Sequence, residues 1–223
     1  HSTSRRQRQM CIRDRYWEDG AQIVEPTDKE IINEVNAITD LSTIKTMNKK
    51  EAEEKGLYNT IGKEIDDKYI DTLKKLVVNQ DAINKMQQDI KIVYTPLHGT
   101  GNIPVQRILK EIGFENVYVV PEQEKPDGEF PTVSYPNPED PKAFTLALEL
   151  AKRVNADIVL ANDPDADRLG VYVKDTKTGE YIQFNGNMTG NLLAEYILSQ
   201  KKANGTLPAN GAVIKTIVSS NLT

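Results

Sequence analysis

Between Asn162 and Leu169 the chain reads Asn-Asp-Pro-Asp-Ala-Asp-Arg-Leu, placing three carboxylates, Asp163, Asp165 and Asp167, at alternate positions with Arg168 behind them. Like charges this close repel, and a tight loop gathers them only where a cation offsets the repulsion. Carboxylate oxygens are hard ligands suited to magnesium or calcium, and the absence of Cys and His nearby argues against zinc. The competing explanation is a plain turn, since aspartate favours turns; three aspartates in six residues, plus an arginine, exceed what a turn requires. A calcium EF-hand needs glycine at its sixth position and glutamate at its twelfth. Counting from Asp163, those positions hold Arg168 and Lys174, so an EF-hand is rejected. Phosphatases with an aspartyl nucleophile also set alternating aspartates after a strand, and that enzyme class stays open, although a third aspartate and an arginine fit it poorly.

A second polar cluster is Thr95-Pro96-Leu97-His98-Gly99-Thr100-Gly101. His98 is the only histidine besides His1, and it stands at a strand end among glycines. Two roles are open to it: shaping an anion site, or serving as a hydrogen-bonded structural histidine. Gly99-Thr100-Gly101 is no dinucleotide fingerprint, because Pro104 occupies the third glycine position, and it lacks the Gly-Lys-Ser/Thr of a P-loop. Its amides can still approach an anion at the start of the next helix. Arg168 likewise has two roles: its planar fork suits phosphate, or it pairs with one of the aspartates.

The elements that position these residues are legible in outline. Ile92–Tyr94, Val117–Val120 and Ile158–Leu160 are short apolar runs that read as strands. Helices from about Ile103 to Gly113 and from Ala143 to Val154 separate them. Val171–Val173 and Tyr181–Phe184 read as a closing hairpin across Lys177-Thr178-Gly179. Strand–helix–strand–helix–strand implies an α/β fold with a mostly parallel sheet and right-handed crossovers. The three unusual loops, 95–101, 121–141 and 162–168, then leave one carboxyl edge, where such sheets bind ligands. Upstream, Ala21–Val24 suggests a strand remnant, and Thr27-Asp28-Lys29-Glu30 a capping box before a helix carrying Ile31, Ile32, Val35 and Ile38. Asn48–Lys55 reads as a solvated helix face. Tyr69, Leu73, Leu76, Val77, Ile83 and Met86 suggest a core stripe on one long helix or two short ones.

With 223 residues, 38% hydrophobic and 27% charged, the chain has the composition of a soluble globular protein of one or two domains. No apolar run approaches the ~20 residues of a membrane-spanning helix. The net charge of −5 gives no reason to expect a nucleic acid partner. The single cysteine, Cys11, forms no internal disulfide framework and fits a cytoplasmic location. Five of the eight arginines, Arg5, Arg6, Arg8, Arg13 and Arg15, crowd the first fifteen residues. A nucleic-acid arm, a transit peptide and a foreign segment are the alternatives. The third is favoured, because the segment runs directly into mid-domain sequence and resembles translated adapter DNA.

The two motifs together resemble the α-D-phosphohexomutase family of phosphoglucomutases and phosphomannomutases. Asn162–Leu169 matches the variant of that family's metal loop common in its phosphoglucomutase branch, and Thr95–Gly101 matches the opening loop of its second domain. The resemblance implies a three-layer α/β/α domain II over residues 69–186. A remnant of domain I and a linker would occupy 16–68, and the start of domain III 187–223, with 1–15 a non-native segment. It implies Mg²⁺ held by Asp163, Asp165 and Asp167, with Arg168 and His98 contributing to catalysis. It also implies a hexose phosphate substrate, glucose favoured, interconverted between 1-phosphate and 6-phosphate through a phosphoserine and a sugar bisphosphate, with neither membrane nor nucleic acid involved. The family's Ser-His nucleophile loop and the lysine after it are absent ahead of Tyr16, and its sugar-selecting loop does not appear before Thr223. This chain alone is therefore expected to be inactive. A non-catalytic paralogue that binds metal or sugar phosphate is the remaining alternative.

Overall fold

The structure, a computed structural model, describes residues 16–217 and 219–220. The Arg-rich segment 1–15 with Cys11, and Val218 in the stretch Lys215–Ser220 where the resemblance leads one to expect a further strand, lie outside the described residues. The chain divides into two compact units, His1–Ile65 and Asp66–Thr223.

In the first unit, Tyr16 and Gln22 form one antiparallel bridge, the whole of the pairing where a strand over Ala21–Val24 is expected. Helix α1 spans Thr27–Ala37, but the expected capping box does not form. Pro26 already has helical backbone angles and takes the cap position without a side-chain hydrogen bond. Thr27 is thereby drawn inside the first turn, where its hydroxyl no longer sits at the cap. Helix α2, Lys49–Glu54, is the expected solvated segment. Its ion pairs, Lys55–Glu51 at 2.6 Å and Lys49–Glu53 at 3.7 Å, have the spacing of adjacent turns and lie exposed.

α3 (Lys63–Lys74), all but its first three residues in the second unit, and α4 (Gln80–Met86) resolve the expected stripe into two helices. The stripe faces differently from its apolar spacing. Ile70 is buried, Leu73, Val77 and Ile83 are half-buried, and Tyr69, Leu76 and Met86 are exposed. Polar bridges set the orientation of α3: Arg107, on the helix α5 defined below, pairs with Asp67, and Lys74 reaches Glu111 at 3.1 Å.

The sheet contains β1 (Lys91–Thr95), β2 (Asn116–Val119), β3 (Ile158–Asn162), β4 (Leu169–Lys174) and β5 (Tyr181–Phe184), in the order β2-β1-β3-β4-β5. β1 runs parallel to both β2 and β3, whereas β4 and β5 return antiparallel as the expected closing hairpin. α5 (Asn102–Ile112) links β1 to β2 and ends at Gly113, whose φ of 122° suits glycine. The turn α6 (Pro121–Glu124), a 3₁₀ turn Pro141–Phe144 and α7 (Thr145–Val154) link β2 to β3. The first crossover runs from β1 out to β2 and the second from β2 back past β1 to β3, so right-handedness places α5 and α7 on opposite faces of the sheet. That gives the three-layer α/β/α arrangement. A final helix, α8, spans Gly186–Ala203.

The core lies between the sheet and α7. Ala147 and Ala151, one turn apart, are fully buried and small enough to let the helix approach Val93, Val159 and Ala161 closely. Phe144 fills the end of this layer, its ring 4.6 Å from that of Tyr172 on β4. The Tyr181 hydroxyl reaches the Ala156 carbonyl at 2.7 Å and fastens the hairpin to the loop after α7. Because β1, β2 and β3 are parallel, their carboxyl ends and the loops that follow them share one edge. Among the described residues no helix is long and apolar enough to cross a membrane.

Candidate metal centre

The loop 163–168 is the tip of the β3–β4 hairpin, and its neck is closed by two adjacent side chains. Asn162 donates its amide to the Arg168 carbonyl at 2.7 Å, while the Asp163 Oδ1 accepts the Arg168 N–H at 2.9 Å. The Ala166 N–H then returns to the Asp163 carbonyl at 3.0 Å, with Ala166 left-handed at φ 61°. This tight tip turns the alternate aspartates towards one another. One carboxylate oxygen from each of Asp163, Asp165 and Asp167 lies within 4.8 Å of the others, with Asp163 buried and the other two exposed. The donor set is all hard oxygen, without sulfur or imidazole, and it fits a divalent cation such as magnesium or calcium.

The electrostatics carry the signature of crowded like charge. Burial opposes ionisation of Asp163, but the Arg168 N–H, hydrogen bonding with the Asp165 and Asp167 carboxyls, and the Arg168 guanidinium together hold its pKa below the ordinary range. Asp167 shifts the other way: burial, hydrogen bonding with Asp163 and the charges of Asp163 and Asp165 raise it, against a smaller pull from Arg168. Arg168 loses some solvation yet becomes a weaker acid, because Asp163 and Asp167 stabilise its charge. Its Nε lies 2.8 Å from Asp163 Oδ2 and 3.6 Å from Asp167 Oδ1. The aspartate pair considered for Arg168 is therefore present. The same side chain is 41% exposed and lines a hollow of about 460 Å³ beside Glu139, Gln183 and the start of α8. A guanidinium has two hydrogen-bonding edges; Asp163 takes up Nε, and hydrogen bonding with Tyr135 also stabilises the charge.

The 95–101 loop clamps this tip from the neighbouring strand end. Thr100 donates both its N–H, at 2.8 Å, and its hydroxyl, at 3.1 Å, to the Pro164 carbonyl. Gly99 is required there, since a Cβ at that position would lie 2.4 Å from the Pro164 Cα. His98 belongs to this clamp. It is 5% exposed, its Nδ1 lies 3.2 Å from the Lys125 carbonyl, and its Nε2 lies 2.8 Å from the Thr132 hydroxyl. The fold thus gathers Asp163, Asp165, Asp167 and Arg168, and joins His98 to them through the backbone of Gly99 and Thr100.

Sequence reasoning placed Tyr94 in a strand and Thr95 in the loop motif without a role for either side chain, and did not reach Gln123 or Thr132. Thr95 and Gln123 are buried and hydrogen-bonded to each other at 2.7 Å. The Tyr94 hydroxyl is buried without a hydrogen-bond partner among the described residues, next to Gly101 and Ala166 beneath the aspartate loop, and burial raises its pKa well above the usual tyrosine range. The available sequence signal was polar residues interrupting apolar runs at the same strand end.

Residues 67–179 match the family described as phosphoglucomutase/phosphomannomutase, alpha/beta/alpha domain II. The chain is 38% identical over 188 residues to a phosphopentomutase of Homo sapiens, covering 84% of this chain and 30% of that protein. It is 34% identical over 207 residues to a phosphoglucomutase of Staphylococcus haemolyticus, covering 93% and 36%. Over 203 residues it is 34% identical to a phosphoribomutase of Saccharomyces cerevisiae, covering 84% and 32%. The chain spans about a third of the length of these curated relatives. With the domain II match covering half of its residues, both motifs among them, this chain belongs to the phosphoglucomutase/phosphomannomutase family.

Proposed function

We propose that this chain is the metal-bearing part of a phosphosugar mutase acting on a hexose phosphate, with glucose favoured, in the cytoplasm. The observation that carries the reading is the convergence of three carboxylates within 4.8 Å at the end of β3 in a family member. Asp163, Asp165 and Asp167 would hold Mg²⁺, with Asp163 kept ionised and oriented by Arg168. A bound magnesium ion neutralises the charge that develops when a phosphoryl group is transferred. Arg168 keeps its Nε on Asp163 and presents its terminal nitrogens to a phosphate oxygen, a geometry that lysine does not reproduce. Gly99 and Thr100 hold Pro164, so the carboxylates on either side of it keep their separation.

In the parent enzyme a phosphoserine would exchange its phosphoryl group with the sugar through a bisphosphate. The reading assigns that serine to sequence ahead of Tyr16, residues 69–186 to domain II, 16–68 to the end of domain I, and 187–223 to the start of domain III. The chain alone is inactive on this reading. A pentose phosphate is the second reading, favoured by relatives named phosphopentomutase and phosphoribomutase at similar identity. Sequencing the locus upstream of the Tyr16 codon tests the mutase assignment: a Ser-His loop followed by lysine supports it. A genuine Arg-rich start leaves a protein that binds metal or sugar phosphate without catalysis. Turnover of glucose 1-phosphate against ribose 1-phosphate by the extended product decides the sugar.

A further inference from the structure

We propose that His98 is a positioning residue for the metal loop, acting as the Nδ1–H tautomer within a directed hydrogen-bond chain that fixes the turn beneath Pro164. The inference rests on reading Asp163, Asp165 and Asp167 as a cation site and adds what holds that site in shape. A carbonyl only accepts, so the 3.2 Å contact with the Lys125 oxygen places the proton on Nδ1. Nε2 of the neutral ring then accepts, and the Thr132 hydroxyl donates to it at 2.8 Å. The Thr132 oxygen in turn accepts the Gln123 amide at 3.0 Å. Gln123 Oε1 accepts the Thr95 hydroxyl at 2.7 Å, and the Thr95 oxygen accepts the Leu97 N–H at 3.1 Å. Every link has one direction, from the Leu97 amide to Thr95 and Gln123, and from Gln123 through Thr132 and His98 to the Lys125 carbonyl.

The backbone of His98 is held as firmly as its ring. Its N–H donates to the Gln123 carbonyl at 2.9 Å, and its carbonyl accepts the Asp127 N–H at 3.1 Å. Four points of attachment are needed because Leu97 and His98 are successive left-handed residues, at φ 45° and 61°. L-residues adopt that conformation at a cost and keep it only where the surroundings over-determine it. What the turn achieves is the presentation of Gly99 and Thr100 to Pro164, the residue between two of the three carboxylates. With both ring nitrogens engaged and 5% exposure, His98 reaches the site through this turn and not through its own side chain.

The test combines ¹⁵N NMR of the imidazole with calorimetric Mg²⁺ titration of the purified chain and four variants. The ring is expected to report Nδ1–H. Thr132→Ser keeps the hydroxyl, and His98→Asn keeps an amide donor and tolerates left-handed φ. Both should bind Mg²⁺ within about threefold of wild type, whereas Thr132→Val and His98→Ala should weaken binding on the order of 10-fold. Thr132 is exposed at the rim of the network, so its variants keep the fold even where His98→Ala does not. An Nε2–H tautomer, or Thr132→Val binding as tightly as Thr132→Ser, overturns the proposal. A wild-type chain that takes up no Mg²⁺ instead sinks the cation reading, and the tautomer measurement still decides the hydrogen-bond chain.

Discussion

Asp163 and Asp165 stand two positions apart yet do different work. Asp163 is fully buried, and both its oxygens serve Arg168; Asp165 is exposed at the tip. Asp163→Ala should therefore cost about 2 kcal/mol of folding stability, because it strips the partner from a half-buried guanidinium and an amide. Asp165→Ala should change stability in urea titrations by less than about 0.5 kcal/mol while removing metal-induced stabilisation as completely as Asp163→Ala does. Equal unfolding midpoints for the two metal-free variants would contradict this division. The alternating carboxylates and the arginine after them were legible because a loop motif is made of covalent neighbours. The pairing of Arg168 with Asp163, and not with a ligand alone, needed the geometry of the hairpin neck.

At the scale of elements, the metal loop is shaped by another loop 64 residues away in sequence: Thr100 holds Pro164. Gly99→Ala would press a Cβ against Pro164 backbone, and since backbone cannot rotate aside, the loop must shift. A destabilisation of about 1–3 kcal/mol is expected, together with weaker Mg²⁺ binding, both readable from thermal melts with and without the ion. Strand and helix existence was legible from apolar periodicity, and β1, β2, β3 and the closing hairpin stand where those patterns lie. Orientation was less so. Ile70 and not Tyr69 is buried on α3, because bridges from Asp67 and Lys74 to α5 set the helix's rotation, and no local pattern announces a partner 40 residues away. The network of His98, Thr132 and Gln123 was illegible for the same reason. The Lys215–Ser220 stretch forms no strand in its described residues, with Ile217 at 96% exposure; a strand requires a neighbouring strand, and no β-bridge joins the described part of this stretch to the sheet.

For the whole sheet-bearing unit, the sheet–α7 core sets the stability on which the site depends. Phe144→Ala should cost about 3–5 kcal/mol and lower the unfolding midpoint accordingly. Tyr94, Tyr172 and Tyr181 all have raised pKa values, chiefly through burial, with Asp140 and Asp157 adding to the effect at the latter two. A group whose folded pKa lies above its unfolded value contributes stability that is present below the unfolded value and lost as pH rises through the folded one. Thermal melts should therefore be insensitive to these tyrosines up to about pH 10 and fall steeply above it. Tyr181→Phe should blunt that fall, at the expense of the hydroxyl's bond to Ala156.

The central claim is that one divalent cation sits among Asp163, Asp165 and Asp167, at the carboxyl end of β3. The most direct measurement is anomalous diffraction from crystals of the chain soaked in Mn²⁺, a magnesium surrogate visible by its scattering. The account predicts one strong peak coordinated by an oxygen from each of the three aspartates, absent from crystals of Asp165→Ala. No peak at the loop, or a peak that persists unchanged in the variant, would contradict it.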